Sequence, residues 1–217
     1  MSCWALVALK SSAAAKGRLA EILSAKERRQ LVERMFQQVL RALREAEQID
    51  GIAVVTNETL PLQDADENAH TPLLRIADPG GGLNAALTHG THTLAARGIH
   101  VALVLHADLP LLNAADIDAM IAAGRAHGLA MAADKLGLGT NALFIPLPAP
   151  FPFRFGVGSF ALHRAEIAQL GREAAQLERP GLACDIDEPQ DLMRLLAENP
   201  AEYGFLAAAA GRVENPA

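Results

Sequence analysis

Six short runs of mostly apolar residues, at 4–9, 52–56, 73–77, 101–105, 129–133 and 142–145, punctuate the chain. Continuous apolar runs of this length are the pattern of strands buried on both faces, and they predict a mostly parallel sheet. Between them the period changes. Ser24 and Glu27 stand at capping-box spacing ahead of Leu31, Met35, Val39 and Leu43, with Val32, Phe36 and Leu40 beside them. That spacing predicts a long helix whose single apolar stripe lies on a sheet. Further helices are predicted over 83–96, over 113–127 with Asn113 as cap and Asp116 in the first turn, and over 189–197, opened by Pro189. Alternating strands and helices imply a three-layer α/β domain, with the ligand site beyond the carboxyl ends of the strands. Residues 146–160 break the alternation with four prolines and four of the seven phenylalanines. They predict an irregular loop with its own packing, either an arm against the core or a partner copy, or a wall of the substrate pocket.

With 217 residues, 51% of them hydrophobic, the chain is sized for one domain, expected over 1–205, with an alanine-rich tail over 206–217 that frays. A formal charge of −6 offers no general attraction to nucleic acid or to an anionic membrane. An anionic ligand must therefore meet local cations or a metal ion. Cys3 and Cys184 stand far apart in no metal-binding spacing, so neither a zinc cluster nor a disulfide framework is expected. With no signal peptide and no membrane-spanning run legible, a cytoplasmic location is expected.

Four segments after strands carry candidate chemistry. Asp108, in HADLPLL, follows the run 101–105, and Asp185-Ile186-Asp187 places two carboxylates on one side of an extended segment. Three aspartates from two strand ends suit Mg²⁺, which takes a few carboxylates plus water and phosphate oxygens. An aspartate after a strand also serves as a helix cap, and that reading stays open. Lys10, Lys16 and Arg18 lie in a loop of small residues that can wrap phosphates, although it lacks the glycines of a P-loop. Gly80-Gly81-Gly82 leads to Asn84 at a helix start, where backbone can approach a nucleotide or simply turn. Thr140 and Asn141, with Gly156 and Ser159 downstream, offer small donors for a phosphate or carboxylate, and Arg154 stands near as a further cation. His89, His92, His100 and His106 have no third ligand in register and read as ordinary histidines.

AKGRL, VVT, GGGLNAAL, HADLPLL, GLGTNALF, FGVGSFALH and PGLACDIDEPQDL, taken in this order over residues 4 to 196, resemble the guanylyltransferases of deazaflavin coenzyme F-420 biosynthesis. Those enzymes act on 2-phospholactate, phosphoenolpyruvate or 3-phosphoglycerate. The resemblance implies a nucleotidyltransferase fold of the nucleotide-diphospho-sugar transferase kind, with GTP and Mg²⁺. It also implies that Asp108, Asp185 and Asp187 hold the metal, that Lys16, Arg18 and the turn from Gly82 to Asn84 attend the nucleotide, and that Thr140, Gly156 and Ser159 line the phospho-acid site. Asp108, Lys16 and Arg18 are the residues expected to carry the transfer. Glycine in AKGRL and histidine in HADLP depart from the commonest family pattern without removing a required group. A sugar-phosphate or molybdenum-cofactor-type nucleotidyltransferase, and a nucleotide-binding domain without turnover, are the competing readings. The phenylalanine-rich loop leaves a homodimer open.

Overall fold

The structure, a computed structural model, describes residues 2–9, 16–58 and 71–207. Lys10, and residues 208–217 of the expected tail, lie outside that set. Strands β1 (Cys3–Ala8), β2 (Gly51–Val55), β3 (Leu73–Ile76), β4 (Val101–Leu105), β5 (Ala130–Ala133), β6 (Thr140–Pro146) and β7 (Ala175–Leu177) form one sheet in the order β3-β2-β1-β4-β6-β5-β7. Every pairing is parallel except those of β6, which runs antiparallel to both β4 and β5. β2 and β4 are buried at every position, as their unbroken apolar runs require.

Helices cover both faces. On one side lie α1 (Ala25–Glu45), α3 (Ala114–His127) and α6 (Pro189–Glu198), whose apolar faces share a cluster with Val7, Val54 and Leu103. On the other, α2 (Leu83–Ala96), α4 (Ser159–Gln169) and Phe151, Phe153 and Phe155 join Leu6, Val104 and Ile145. Phe151, Phe153 and Phe155 of the phenylalanine-rich segment thus pack on the core of their own chain. Two short helices, α5 (Pro180–Ala183) and α7 (Pro200–Tyr203), complete the described elements together with two 3-10 turns.

The caps form as the spacing requires. The Ser24 hydroxyl accepts from the Glu27 amide while Glu27 accepts from the Ser24 amide at 2.7 Å. Asn113 caps α3 through the Asp116 amide at 3.0 Å. Gly90 lets α2 lie close over β1 and β2, since a Cβ there would stand 2.7 Å from a Leu6 methyl and 3.0 Å from Val55. β7, α4 and α5 lie outside the elements legible in the sequence. β7 has three residues, and α4 shows no apolar stripe, with Leu162 exposed while His163 and Ile167 are buried.

Candidate active site

Parallel strands turn their carboxyl ends to one edge of the sheet, and the charged residues gather there. β1 leads to Lys16 and β4 to Asp108. Lys16 has left-handed backbone, with φ of 57°, the one such non-glycine among the described residues. That costs a side-chain-bearing residue about 1 kcal/mol, and such strain collects where a side chain must be aimed. Here the aim is inward: the ammonium contacts the Asp108 carboxylate and donates to Asp187 Oδ1 at 2.9 Å. Its side chain is only 7% exposed. Burial alone would lower its pKa, but Asp108 and Asp187 outweigh this and push it up to about 12, so it stays charged.

Asp108 is the reciprocal case. Burial acts to raise it, and Lys16 with His106 overcomes that and holds the carboxyl below its ordinary range. Its Oδ1 is buried with no hydrogen-bond partner among the described residues, 3.7 Å from His106 Nδ1. In the DID segment Ile186 is fully buried, while Asp187 faces outward to Lys16. Asp185 is half-buried and its pKa is raised, first by burial and then by the negative charges of Asp108 and Asp187. Three carboxylates thus share one field with a single buried ammonium. Asp191 supports them: it accepts from the Asp187 and Glu188 amides at 3.1 and 2.9 Å and pairs with Lys135.

Among the described residues no group of three carboxylate, imidazole or thiolate side chains is already set as a metal cage. The donor set nevertheless suits a hard cation that brings its own phosphate and water ligands. Among the described residues Asp108 Oδ1 has no hydrogen-bond partner, and Asp185 is pushed toward protonation first by burial and then by the charges of Asp108 and Asp187, a penalty that a nearby cation would offset.

A cleft of about 230 Å³ opens between the ends of β1 and β4 and the start of α2, lined by Leu9, Lys16, Leu83, Leu87, His106 and Asp108. Gly80, Gly81 and Gly82 all have positive φ, between 80° and 96°, so the turn demands glycine. Gly82 is the N-cap of α2 and supplies no side-chain cap, which leaves first-turn N–H groups for an anion. Arg18 is 71% exposed at the rim, 3.9 Å from Glu188.

Most of the remaining candidates lie inward. Asn84 exchanges two hydrogen bonds with the Phe155 backbone, at 2.9 and 3.0 Å, so its amide fastens the phenylalanine arm. Thr140, Asn141 and Ser159 are buried: the Thr140 amide donates to Ser159 Oγ at 2.8 Å, and Asn141 donates to the Leu182 carbonyl at 3.0 Å. Gly156 is exposed, with φ of 134°. Arg154 is paired with Glu166 at 2.6 Å. Two histidines not singled out for function stand in the same region. His106 faces Asp108, and HxD after a strand was the available signal, since residues two apart share a side. His163 is buried beside Thr140, at a distance of 23 residues in sequence that offers no local clue.

A mostly parallel sheet with aspartates, a buried lysine and a glycine turn into an uncapped helix gathered at one edge suits the binding of a nucleotide's phosphates. The comparisons agree in fold: a protein from Desulfovibrio desulfuricans G20 assigned to the nucleotide-diphospho-sugar transferases superposes with a TM-score of 0.76 at 18% identity, covering 96% of this chain and 97% of that one. Residues 3–206 match the family described as "Guanylyl transferase CofC like", and the chain belongs to that family of guanylyltransferases. Phosphoenolpyruvate guanylyltransferase of Sphaerobacter thermophilus is 38% identical over 92% of this chain and 95% of its own length. 3-Phospho-D-glycerate guanylyltransferase of Phenylobacterium zucineum is 34% identical over 88% of each. No helix among the described residues is long and apolar enough to cross a membrane.

Proposed function

We propose that this enzyme joins the guanylyl group of GTP to a phosphorylated three-carbon acid, giving a guanosine diphospho-acid and pyrophosphate, as a cytoplasmic step of coenzyme F-420 biosynthesis. The observation that carries the reading is Lys16, buried between Asp108 and Asp187 and lining a cleft that Leu83, at the start of α2, also lines. Phosphoenolpyruvate and 3-phospho-D-glycerate, named for two relatives, share a phosphate and a carboxylate, so the class of acceptor follows even though its three-carbon skeleton varies.

An oxygen of the acid's phosphate attacks the α-phosphorus of GTP in line. The new P–O bond forms as the bond from the α-phosphorus to the bridging oxygen breaks, and pyrophosphate leaves with that oxygen. The attacking phosphate is ionised near neutral pH, so no side chain has to remove a proton. The protein's task is to bring two polyanions together and screen their charge. Lys16 contributes a fixed ammonium, the start of α2 contributes N–H donors at the glycine turn, and Arg18 contributes an exposed cation close by in sequence. Asp108, Asp185 and Asp187 are the residues that would hold Mg²⁺, which would supply electrostatic stabilisation of charge on the transferring phosphate. Thr140, Gly156 and Ser159 are assigned to the acid, with Asn141 positioning the strand that carries Thr140.

The test is pyrophosphate release from GTP with each acid, in wild type and Asp108→Asn, with and without a chelator. The reading expects release that depends on acid and Mg²⁺ and is lost in a folded Asp108→Asn. Release near the wild-type rate in that variant would remove Asp108 from the site.

A further inference from the structure

Beside the acid-binding residues lies a fully buried imidazole to which the reaction assigns no task. His163, on the first turns of α4, packs against Phe155 and Phe151 at ring-centroid distances of 4.8 and 6.2 Å. Its Nε2 lies 3.0 Å from the backbone nitrogen of Arg154, and its Nδ1 lies 3.0 Å from Thr140 Oγ1. A peptide N–H can only donate, so Nε2 accepts. A neutral imidazole with a bare Nε2 carries its proton on Nδ1. The ring is neutral, because burial lowers its pKa to about 4 against a smaller opposing effect of Glu166. The Ser159 carbonyl also faces the ring and favours a proton there.

The consequence passes to the hydroxyls. Since Nδ1–H donates to Thr140 Oγ1, the threonine's own proton must point elsewhere. The Thr140 amide in turn donates to Ser159 Oγ at 2.8 Å, so that serine proton is directed away as well. Among the described residues neither hydroxyl proton meets a protein acceptor. The His106 amide bonds the Asn141 carbonyl at 3.1 Å, which ties the start of β6 to the strand end that carries Asp108.

We infer that His163 is a positioning residue that fixes the Thr140 hydroxyl as a hydrogen-bond donor toward the phosphate or carboxylate of the acid. This rests on the assignment of Thr140 to the acid made above. Without the Nδ1–H donor, Thr140 could turn its proton onto the ring or another acceptor and present a lone pair to an anion.

The test compares His163→Phe, which removes both ring nitrogens, with His163→Asn, whose amide retains a donor near the place of Nδ1. Both variants lose the Arg154 contact, so damage to the arm is common to them. Steady-state kinetics with phosphoenolpyruvate and with 3-phospho-D-glycerate should show KM for the acid raised about tenfold in His163→Phe, the scale of one hydrogen bond to a charged group, with KM for GTP unchanged. His163→Asn should lie within about threefold of wild type. Adding His163→Phe to Thr140→Val should change the acid's KM no further. Equal KM effects on GTP and acid, or equal effects of the two His163 variants, would overturn the inference. Should Thr140→Val itself leave the acid's KM unchanged, the assignment of Thr140 fails instead. Nitrogen-15 NMR of the wild-type imidazole needs no variant: a protonated Nδ1 is expected at neutral pH, and a protonated Nε2 would refute the geometry.

Discussion

Replacing Lys16 by methionine removes the one buried ammonium between Asp108 and Asp187 while keeping an unbranched side chain of similar length. Asp108 then keeps its burial and loses its cation, with Oδ1 already unpartnered among the described residues. Breaking a fully buried pair costs roughly 3–5 kcal/mol, and the cleft moderates this, so about 2 kcal/mol is expected here. The sign with pH follows from the change at Asp108. In wild type its pKa lies below the ordinary carboxylate value, so its contribution is complete above that value and is lost only as pH falls through the lower one. In Lys16→Met burial dominates and the carboxyl is raised. The ionised form then destabilises, and acidification from pH 8 toward pH 5 should recover part of the loss relative to wild type. Asp108→Asn placed on Lys16→Met should recover it at all pH values, without restoring activity. Urea titrations of the four proteins of this cycle, followed by circular dichroism with chelator present, give the coupling. If the asparagine further destabilises Lys16→Met, the lysine is not neutralising Asp108 and the electrostatic picture of the site is wrong.

Asp185→Asn should melt higher than wild type at pH 7 in chelator, because an acid with a raised folded pKa loses stability on ionising; the gain should fade as pH falls and Asp185 protonates, while pyrophosphate release drops. Gly82→Ala forces a side chain into φ of 96° and should cost about 1–2 kcal/mol in thermal melts, with KM for GTP raised and that for the acid unaffected. His163 remains neutral with a pKa of about 4 among Glu166, His106 and Arg154, so wild type should lose about 3 kcal/mol between pH 6.5 and pH 4 that His163→Phe does not lose. Superimposable pH profiles of stability for those two proteins would contradict this.

The main layers were legible because their signals are local. Apolar runs at 52–56 and 101–105 read as strands buried on both faces, and the stripe from Leu31 to Leu43 as a helix face lying on a sheet. α4 was not legible, since Leu162 faces solvent and a histidine fills a core position, so that no stripe forms. Nor was the antiparallel direction of β6, which is set by the short turn at 134–139: Asp134 gathers the amides of Leu136, Leu138 and Gly139. At the site, Asp108 follows β4 as a strand end should, whereas Asp185 and Asp187, expected at a strand end, come from the irregular segment between α5 and α6. The inward roles of Asn84, Thr140, Asn141 and Ser159 were not legible, because a small polar residue reads alike whether it fastens a loop or meets a ligand. Asn84 joins residues 71 apart in sequence and His163 joins Thr140 to Arg154, and neither link leaves a trace in local spacing.

In the function proposed above, separated carboxylates and one buried lysine let a phospho-acid attack the α-phosphorus of GTP. Mass analysis of the products formed by purified protein with GTP, Mg²⁺ and an equimolar mixture of 2-phospholactate, phosphoenolpyruvate and 3-phosphoglycerate tests it most directly. A guanosine diphospho-acid and an equal amount of pyrophosphate are expected. GDP with inorganic phosphate, or GTP left intact beside all three acids, would contradict it.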